Sequence, residues 1–181
     1  AYALLHTLRW PRTLQHPLPT PCPPHTAAMQ QLQPQSHTTP PCPLCTTAGG
    51  RVVWQGKFWR LVSAQEAAFP AFYRLIYQAH TTEWSDLPAP LRQQCAELLA
   101  GLDLLMREHV QPAKMNLATL GNVVPHLHWH LIARFDWDSH FPNPVWGAAL
   151  RTTDMQQLHS IESKLPALEA AMAAYLAQQE A

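Results

Sequence analysis

This sequence lacks a net charge and has no long apolar run. Its 181 residues include 12 basic and 12 acidic side chains, so the formal net charge is zero. A chain without net charge has no overall field that attracts nucleic acid or an anionic membrane surface. No apolar run approaches the roughly 20 residues that a membrane helix requires. The sequence therefore predicts a soluble, cytoplasmic protein with neither nucleic acid nor membrane as a partner.

Acidic side chains are absent from the start of the chain, where the first is Glu66. Residues 1–41 are rich in Pro, Thr, Gln and His, a composition that predicts a disordered, Pro-rich tail. A targeting peptide is also acid-poor, but the many prolines interrupt any amphipathic helix. Because Met29 lies just ahead of the patterned region, a tail that is not native is a further alternative.

Strand-like patterns begin at Arg51. Five segments have the composition of strands: RVVWQ, FWRLVSA, FYRLIYQ, KMNLATL and the histidine-containing HLHWHLI. The first two are separated by Gly56 and Lys57, which predicts a hairpin, and a short turn around Gly121 and Asn122 joins the last two. The order of these segments predicts a mainly antiparallel sheet.

Helical periodicity follows the third strand and returns at the end of the chain. Asp86 is a candidate N-cap, and apolar residues then recur at steps of three and four until the region of Pro112. Thr153 resembles the first residue of a capping box, and the Ala- and Leu-rich end predicts a helix that restarts near Pro166. The fold class predicted is α+β, with one long helix packed on the sheet, plus C-terminal helices.

The stretch VPHLHWHLIAR places three histidines at alternate positions of an otherwise apolar segment. Alternation by two puts His126, His128 and His130 on one face of a strand. Burying three unpaired imidazoles would cost on the order of 1 to 3 kcal/mol each, which disfavours a purely structural role. Two chemistries remain. One is a catalytic zinc bound by a His-x-His pair, and the other is a histidine nucleophile that attacks a phosphate.

Cys42 and Cys45 form a separate Cys-x-x-Cys motif, which fits a redox pair, a disulfide or half of a metal site. A thioredoxin-like pair is expected at a strand-to-helix junction, whereas this motif follows a Pro-rich segment and precedes a hairpin. The position favours a metal site, which needs two further ligands from elsewhere in the chain.

The HLHWHLI segment fits the pattern His-φ-His-φ-His-φ-φ, where φ is apolar, and thereby resembles the histidine triad (HIT) superfamily of nucleotide hydrolases and transferases. The similarity extends from CPLC through FYRLIYQAHTTEWSDL and KMNLATLGNVVPHLHWHLIARF to HFPNPVWG, and it is greatest to small bacterial diadenosine tetraphosphate hydrolase-like members. The resemblance implies a HIT-like fold over residues 42–147, with residues 148–181 as a C-terminal helical extension.

In that family the middle histidine attacks the α-phosphorus of a nucleotide, and the resemblance assigns this role to His128. A neutral imidazole is a competent nucleophile near pH 7, and a phosphoramidate formed on it is reactive enough to hydrolyse. His130 would donate a hydrogen bond to a phosphate oxygen, as the second catalytic residue. Asn116, Gly121 and Asn122 would bind the substrate.

The implied activity is hydrolysis that releases a nucleoside 5′-phosphate from a dinucleoside polyphosphate or a nucleoside phosphoramidate. The resemblance also implies purine nucleotides as the substrate class and a homodimer as the assembly. Val123 stands where the family often has a serine or threonine near the leaving group. The alternatives are a nucleotidyltransferase that shares the same intermediate and a zinc-stabilised nucleotide-binding regulatory module with little turnover.

Similar bacterial members complete the Cys-x-x-Cys site with a histidine after the third strand and with the first histidine of the triad. The resemblance matches these to His80 and His126, so that the metal ligands would be Cys42, Cys45, His80 and His126. Two thiolates and two imidazoles form a closed, tetrahedral structural zinc site. Such a site has no open position for a catalytic water, which would leave His128 and His130 for the reaction.

Overall fold

The computed structural model describes residues 41–180, which form an α+β fold. The strands are β1 (Arg51–Gln55), β2 (Trp59–Ser63), β3 (Phe72–Tyr77), β4 (Lys114–Ala118) and β5 (His128–Arg134). The helices are α1 (Pro43–Thr46), α2 (Ala89–Val110), α3 (Met155–Glu162) and α4 (Leu165–Gln179), with a 3₁₀ turn at Trp84–Asp86. The predicted tail over residues 1–41 lies outside the described residues, except for its last position.

All five strands belong to one antiparallel sheet in the order β1-β2-β3-β5-β4. The Gly56 amide donates to the Trp59 carbonyl oxygen at 2.9 Å, which closes the predicted hairpin between β1 and β2. Strand β5 follows β4 in sequence but lies between β3 and β4, so the histidine strand has a partner on both sides. The sheet confirms the predicted fold class.

Helix α2 packs its apolar side on one face of the sheet. Leu98, Leu102 and Met106 are spaced by four residues and fully buried in the main core, because this spacing places them on one side of the helix. The prediction of Asp86 as its N-cap is wrong, since Pro88 occupies that position. Leu87 precedes a proline and is extended, which separates the 3₁₀ turn containing Asp86 from the helix.

The two C-terminal helices are present, and α4 packs against α2. The predicted cap at Thr153 is displaced by one residue. Asp154 is the N-cap, and its Oδ1 accepts from the amides of Gln156 and Gln157 at 3.0 and 3.1 Å. Helix α4 restarts with Pro166 in its first turn, as predicted. In the part of the chain that the structure describes, no helix is both long and apolar enough to span a membrane.

Strand β5 begins at His128, so the predicted strand face holds two of the three histidines rather than all three. The β3–β5 ladder runs to the amide of Tyr77, which donates to the Leu127 carbonyl oxygen at 3.1 Å. The carbonyl oxygen of Tyr77 instead accepts from the His126 side chain at 2.7 Å. This side-chain bond replaces a backbone bond of the ladder, and His126 therefore lies in the bend that precedes the strand.

Candidate active site and metal centre

His128 and His130 lie on the face of the sheet that does not carry α2. In the β3–β5 ladder His128 is opposite Ile76, and His130 is opposite Arg74. Residues paired across two antiparallel strands point to the same side, so these four side chains share one face. The intervening Trp129 and Leu131 pack toward the main core under α2. Strand alternation thus separates the polar site from the apolar core.

The ring of His128 is held by a backbone contact. Its Nδ1 lies 2.6 Å from the carbonyl oxygen of His126, and a carbonyl can only accept, so Nδ1 carries the proton. In the neutral ring the lone pair is then on Nε2. The side chain is 8% exposed and lines the cavity described below. This arrangement provides an oriented imidazole with one nitrogen available for nucleophilic attack.

His130 is buried beside His128, with the ring centroids 4.8 Å apart. Burial lowers the pKa of His130 to about 4, and the neighbouring His128 and Arg74 shift it in the same direction. The ring is therefore neutral at pH 7. Its Nδ1 is buried without a hydrogen-bond partner in the described structure. Such a group is costly unless a ligand completes it, which is typical of a binding site.

A cavity of about 480 Å³ opens over the two histidines. Among the residues lining it are Arg74, Gly121, Asn122, Val123 and Trp146. Gly121 has φ of +70°, in the left-handed region that favours glycine, so it turns the chain between β4 and β5 toward the cavity. The volume is within the range of small-molecule sites.

Asn116, a predicted substrate-binding residue, is not among the residues lining this cavity. Its Oδ1 accepts from Nη1 of Arg134 at 2.9 Å. Arg134 also forms a buried ion pair with Asp138, at 2.8 and 3.0 Å. The side chain of Asn116 is therefore part of a polar network with Arg134 and Asp138, while the predicted Gly121 and Asn122 lie at the cavity.

The four predicted metal ligands come together from three separate segments. One ligand atom from each of Cys42, Cys45, His80 and His126 lies within 4.8 Å of the other three. The Nδ1 of His126 is 3.5 Å from Sγ of Cys42 and 3.4 Å from Sγ of Cys45, and His80 Nδ1 is 3.4 Å from Cys45 Sγ. Sulfur and nitrogen ligands of a tetrahedral zinc lie about 3.6 Å apart, given usual bond lengths. The cluster has the dimensions of such a site.

The tautomer of His126 also fits metal ligation. Its Nε2 donates to the carbonyl oxygen of Tyr77 at 2.7 Å, which leaves the lone pair on Nδ1, the nitrogen that faces the thiols. Burial lowers the pKa of His126 and so favours the neutral ring that a metal requires. The residues fit a zinc ion in number, type and tautomer.

Two arginines of the site were not identified from the sequence. Arg60 is buried and donates to the carbonyl oxygens of Leu44 and Ala48 at 2.6 and 3.0 Å, which holds the loop of the Cys-x-x-Cys motif on β2. Arg74 lines the cavity itself. A signal for Arg74 was present, since a single charge inside the apolar segment FYRLIYQ is unusual for a buried strand.

Comparison with known proteins agrees with this geometry. Residues 48–137 match the family described as HIT domain. A histidine triad protein from Marinobacter aquaeolei VT8 is 28% identical with a TM-score of 0.56, over 70% of this chain and 93% of that one. One from Bradyrhizobium japonicum is 26% identical with a TM-score of 0.53, over 64% and 87%. Residues 48–137 are thus similar to a HIT domain, and these two structures support the same superfamily.

A Zn-bound histidine triad family protein from Mycobacterium smegmatis shares the fold at 18% identity, with a TM-score of 0.52, over 76% of this chain and 97% of that one. No curated protein matches the sequence significantly. Proteins of the HIT family generally bind or hydrolyse nucleotides.

Proposed function

We propose that the protein is a nucleotide hydrolase that acts through a nucleotidyl-His128 intermediate. The observation that carries this proposal is the hydrogen bond from His128 Nδ1 to the His126 carbonyl oxygen, because it leaves Nε2 as the free nitrogen of an oriented ring. The substrate is a dinucleoside polyphosphate or a nucleoside phosphoramidate. The product is a nucleoside 5′-phosphate, and purine nucleotides are the preferred class.

The reaction has two steps on the same phosphorus. His128 Nε2 forms a bond to the α-phosphorus while the bond from phosphorus to the leaving group breaks, and the leaving group keeps the electron pair. A phosphate leaves as its anion, and an amine leaves as the neutral amine after its nitrogen has taken a proton from solvent. Water then attacks the phosphorus, the P–N bond breaks, and the water proton is lost to solvent. His128 returns to its starting state. Neither step needs a redox partner.

The developing charge on the phosphate would be stabilised by groups already in place. A neutral His130 can donate an N–H to a phosphate oxygen, and its buried Nδ1 has no partner among the described residues. The backbone of Gly121 and the side chain of Asn122 lie at the cavity and supply further donors. Donors fixed before the reaction lower the barrier more than donors that must reorganise.

We also propose a structural zinc held by Cys42, Cys45, His80 and His126. Its support is the set of three sulfur–nitrogen distances of 3.4 to 3.5 Å and the tautomer of His126. Four protein ligands leave no coordination position for water, so the ion would stabilise the fold rather than take part in the reaction. Both thiols must stay reduced to bind zinc, which is consistent with a cytoplasmic location.

Two alternatives share the site. A nucleotidyltransferase would use the same intermediate, with a second phosphate instead of water as the attacking group. A zinc-stabilised regulatory module would bind nucleotide with little turnover, an option that Val123 favours because it is 94% exposed at the cavity and carries no hydroxyl.

A homodimer is proposed through β4, an edge strand with the exposed Leu117, since an unpaired edge is a template for a second chain.

Turnover separates these possibilities. The protein is incubated with a fluorogenic adenosine phosphoramidate, and separately with diadenosine polyphosphates, and the products are resolved by chromatography. Release of adenosine 5′-phosphate in water supports the hydrolase. Product formed only when an acceptor phosphate is added supports the transferase, and nucleotide binding without product supports the regulatory module.

A further inference from the structure

Arg74 is the only side chain with a permanent charge among the described residues that line the cavity. It lies on β3 between two cross-strand neighbours, His130 on β5 and Val62 on β2, and all three share one face of the sheet. Val62 and Ile76 form an apolar cluster on this face. A charge in apolar surroundings is costly unless it is paired and hydrogen-bonded. The presence of Arg74 on this face therefore requires an explanation beyond packing.

The hydrogen bonds of Arg74 are incomplete. Its Nη1 donates to the Gly49 carbonyl oxygen at 3.1 Å, and its Nη2 donates to Oε1 of Glu66 at 3.3 Å. These contacts use two of the five N–H donors of a guanidinium. By contrast, Arg134 holds Asp138 through two shorter bonds and is buried. Arg134 is thus a closed structural pair, whereas Arg74 has donors left over at the cavity.

The contact with Glu66 is weak. The Glu66 side chain is 48% exposed and touches Arg74 through one oxygen. Half-exposed ion pairs with a single contact contribute little stability, because water competes for both charges. A phosphoryl group can accept two parallel N–H bonds from the planar guanidinium, whereas Glu66 accepts only one. A phosphate at the cavity can therefore displace Glu66.

We propose that Arg74 is a specificity-determining residue that binds a phosphoryl group of the substrate, and that Glu66 is an internal competitor that occupies Arg74 when no phosphate is bound. The inference rests on the proposed nucleotide-binding function of the cavity. Arg74 then recognises the phosphate of the substrate rather than its base or ribose. Glu66 sets the affinity threshold that a phosphate must exceed.

The test compares adenosine 5′-monophosphate with adenosine as calorimetric probes of the same full-length protein. Three variants are measured beside the wild type: Arg74→Met, Glu66→Gln and Arg107→Met. Arg107→Met is the control for net charge. Arg107 is exposed and pairs with Asp103 along α2, the helix that packs on the opposite face of the sheet from the cavity. Quenched turnover with a diadenosine polyphosphate, analysed for a nucleotidyl-His128 adduct, tests the proposed function separately.

Arg74→Met is expected to weaken monophosphate binding by about 10- to 100-fold, as expected for lost hydrogen bonds to a charged group, and to leave adenosine binding unchanged. Glu66→Gln removes the competitor and is expected to tighten monophosphate binding by about two- to fivefold. Arg107→Met should match the wild type.

Equal effects of Arg74→Met on both probes, no effect on either, or weaker monophosphate binding in Glu66→Gln would overturn the inference. If the His128 adduct forms in those cases, the proposed hydrolase stands and only the role of Arg74 fails. If the adduct is absent but the monophosphate results are as expected, Arg74 keeps its role and the hydrolase fails. A wild type that binds no monophosphate overturns the role of Arg74, and the His128 adduct then decides the proposed hydrolase on its own.

Discussion

The backbone carbonyl oxygen of His126 accepts a hydrogen bond from Nδ1 of His128 at 2.6 Å, while the ring of His126 faces the thiols of Cys42 and Cys45. One residue thus joins the metal cluster to the proposed nucleophile. A metal ion that fixes His126 would also fix the tautomer and orientation of His128, without any contact with the substrate. This relationship explains how a structural metal can matter for the reaction.

Cys42→Ser and Cys45→Ser are each expected to remove zinc and to lower the melting temperature, with activity falling as a consequence of the lost structure. The reason is that binding energy at a structural zinc site is also folding energy. Cys95→Ala is the control, since Cys95 lies on the buried side of α2, in the main core and outside the cluster. It should lower stability by cavity formation while the protein keeps about one zinc per chain.

Metal content, melting and turnover are measured before and after chelation. A catalytic zinc would give the opposite order of effects, with turnover abolished while the fold remains intact and a rate that changes with cobalt or cadmium. Anaerobically purified protein that carries no metal and has both thiols free would contradict the zinc site altogether.

The low pKa of His130 predicts that acid destabilises the protein. This pKa is about 4 in the folded chain, against about 6.5 in the unfolded chain, so the unfolded chain binds more protons between these values. The stability that comes from keeping His130 neutral and buried is fully present above pH 6.5. It is lost as the pH falls toward 4, which lowers the free energy of unfolding by at most about 3 kcal/mol.

Denaturant unfolding of His130→Asn across this pH range measures the effect. The variant should show a flatter dependence of the unfolding free energy on pH than the wild type. His159→Asn is the matched control, because His159 is 66% exposed and its removal should leave the slope unchanged. Equal slopes in His130→Asn and the wild type would contradict a buried neutral His130.

A chain that starts at Met29 is expected to have the same activity, melting temperature and oligomeric state as the full chain. The Pro-rich, acid-free composition of residues 1–28 offers little apolar surface to bury, which is the basis of the prediction. Calorimetry and light scattering on both forms provide the measurement. A lower melting temperature or a changed mass after truncation would show that the first 28 residues contribute to the domain.

Local patterns predicted the elements of the fold well because each depends on near neighbours in sequence. The hairpin at Gly56 and the long helix ending near Pro112 follow from turn chemistry and periodicity. The start of β5 was less predictable. Alternation placed His126 on the strand, but its side chain donates a hydrogen bond to the carbonyl oxygen of Tyr77. The two residues are 49 positions apart in sequence, and no local pattern shows such a contact.

In the site, too, features set by local sequence were predictable and features set by strand register were not. Two of the predicted substrate-binding residues, Gly121 and Asn122, lie at the cavity, because a short turn after β4 must pass the end of β5. Asn116 lies on β4, and its amide oxygen is engaged by Arg134, a pairing that depends on the register of β4 against β5. Arg74 was identified only once the register of β3 placed it opposite His130.

The identity of the nucleophile is tested most directly by mass spectrometry of protein quenched during turnover of a diadenosine polyphosphate. The wild type is expected to carry a nucleotidyl group on His128. His128→Ala should fold normally, bind nucleotide within about tenfold of the wild type, and lose several orders of magnitude in the chemical step. An adduct on another residue, or near-normal turnover by His128→Ala, would contradict the account.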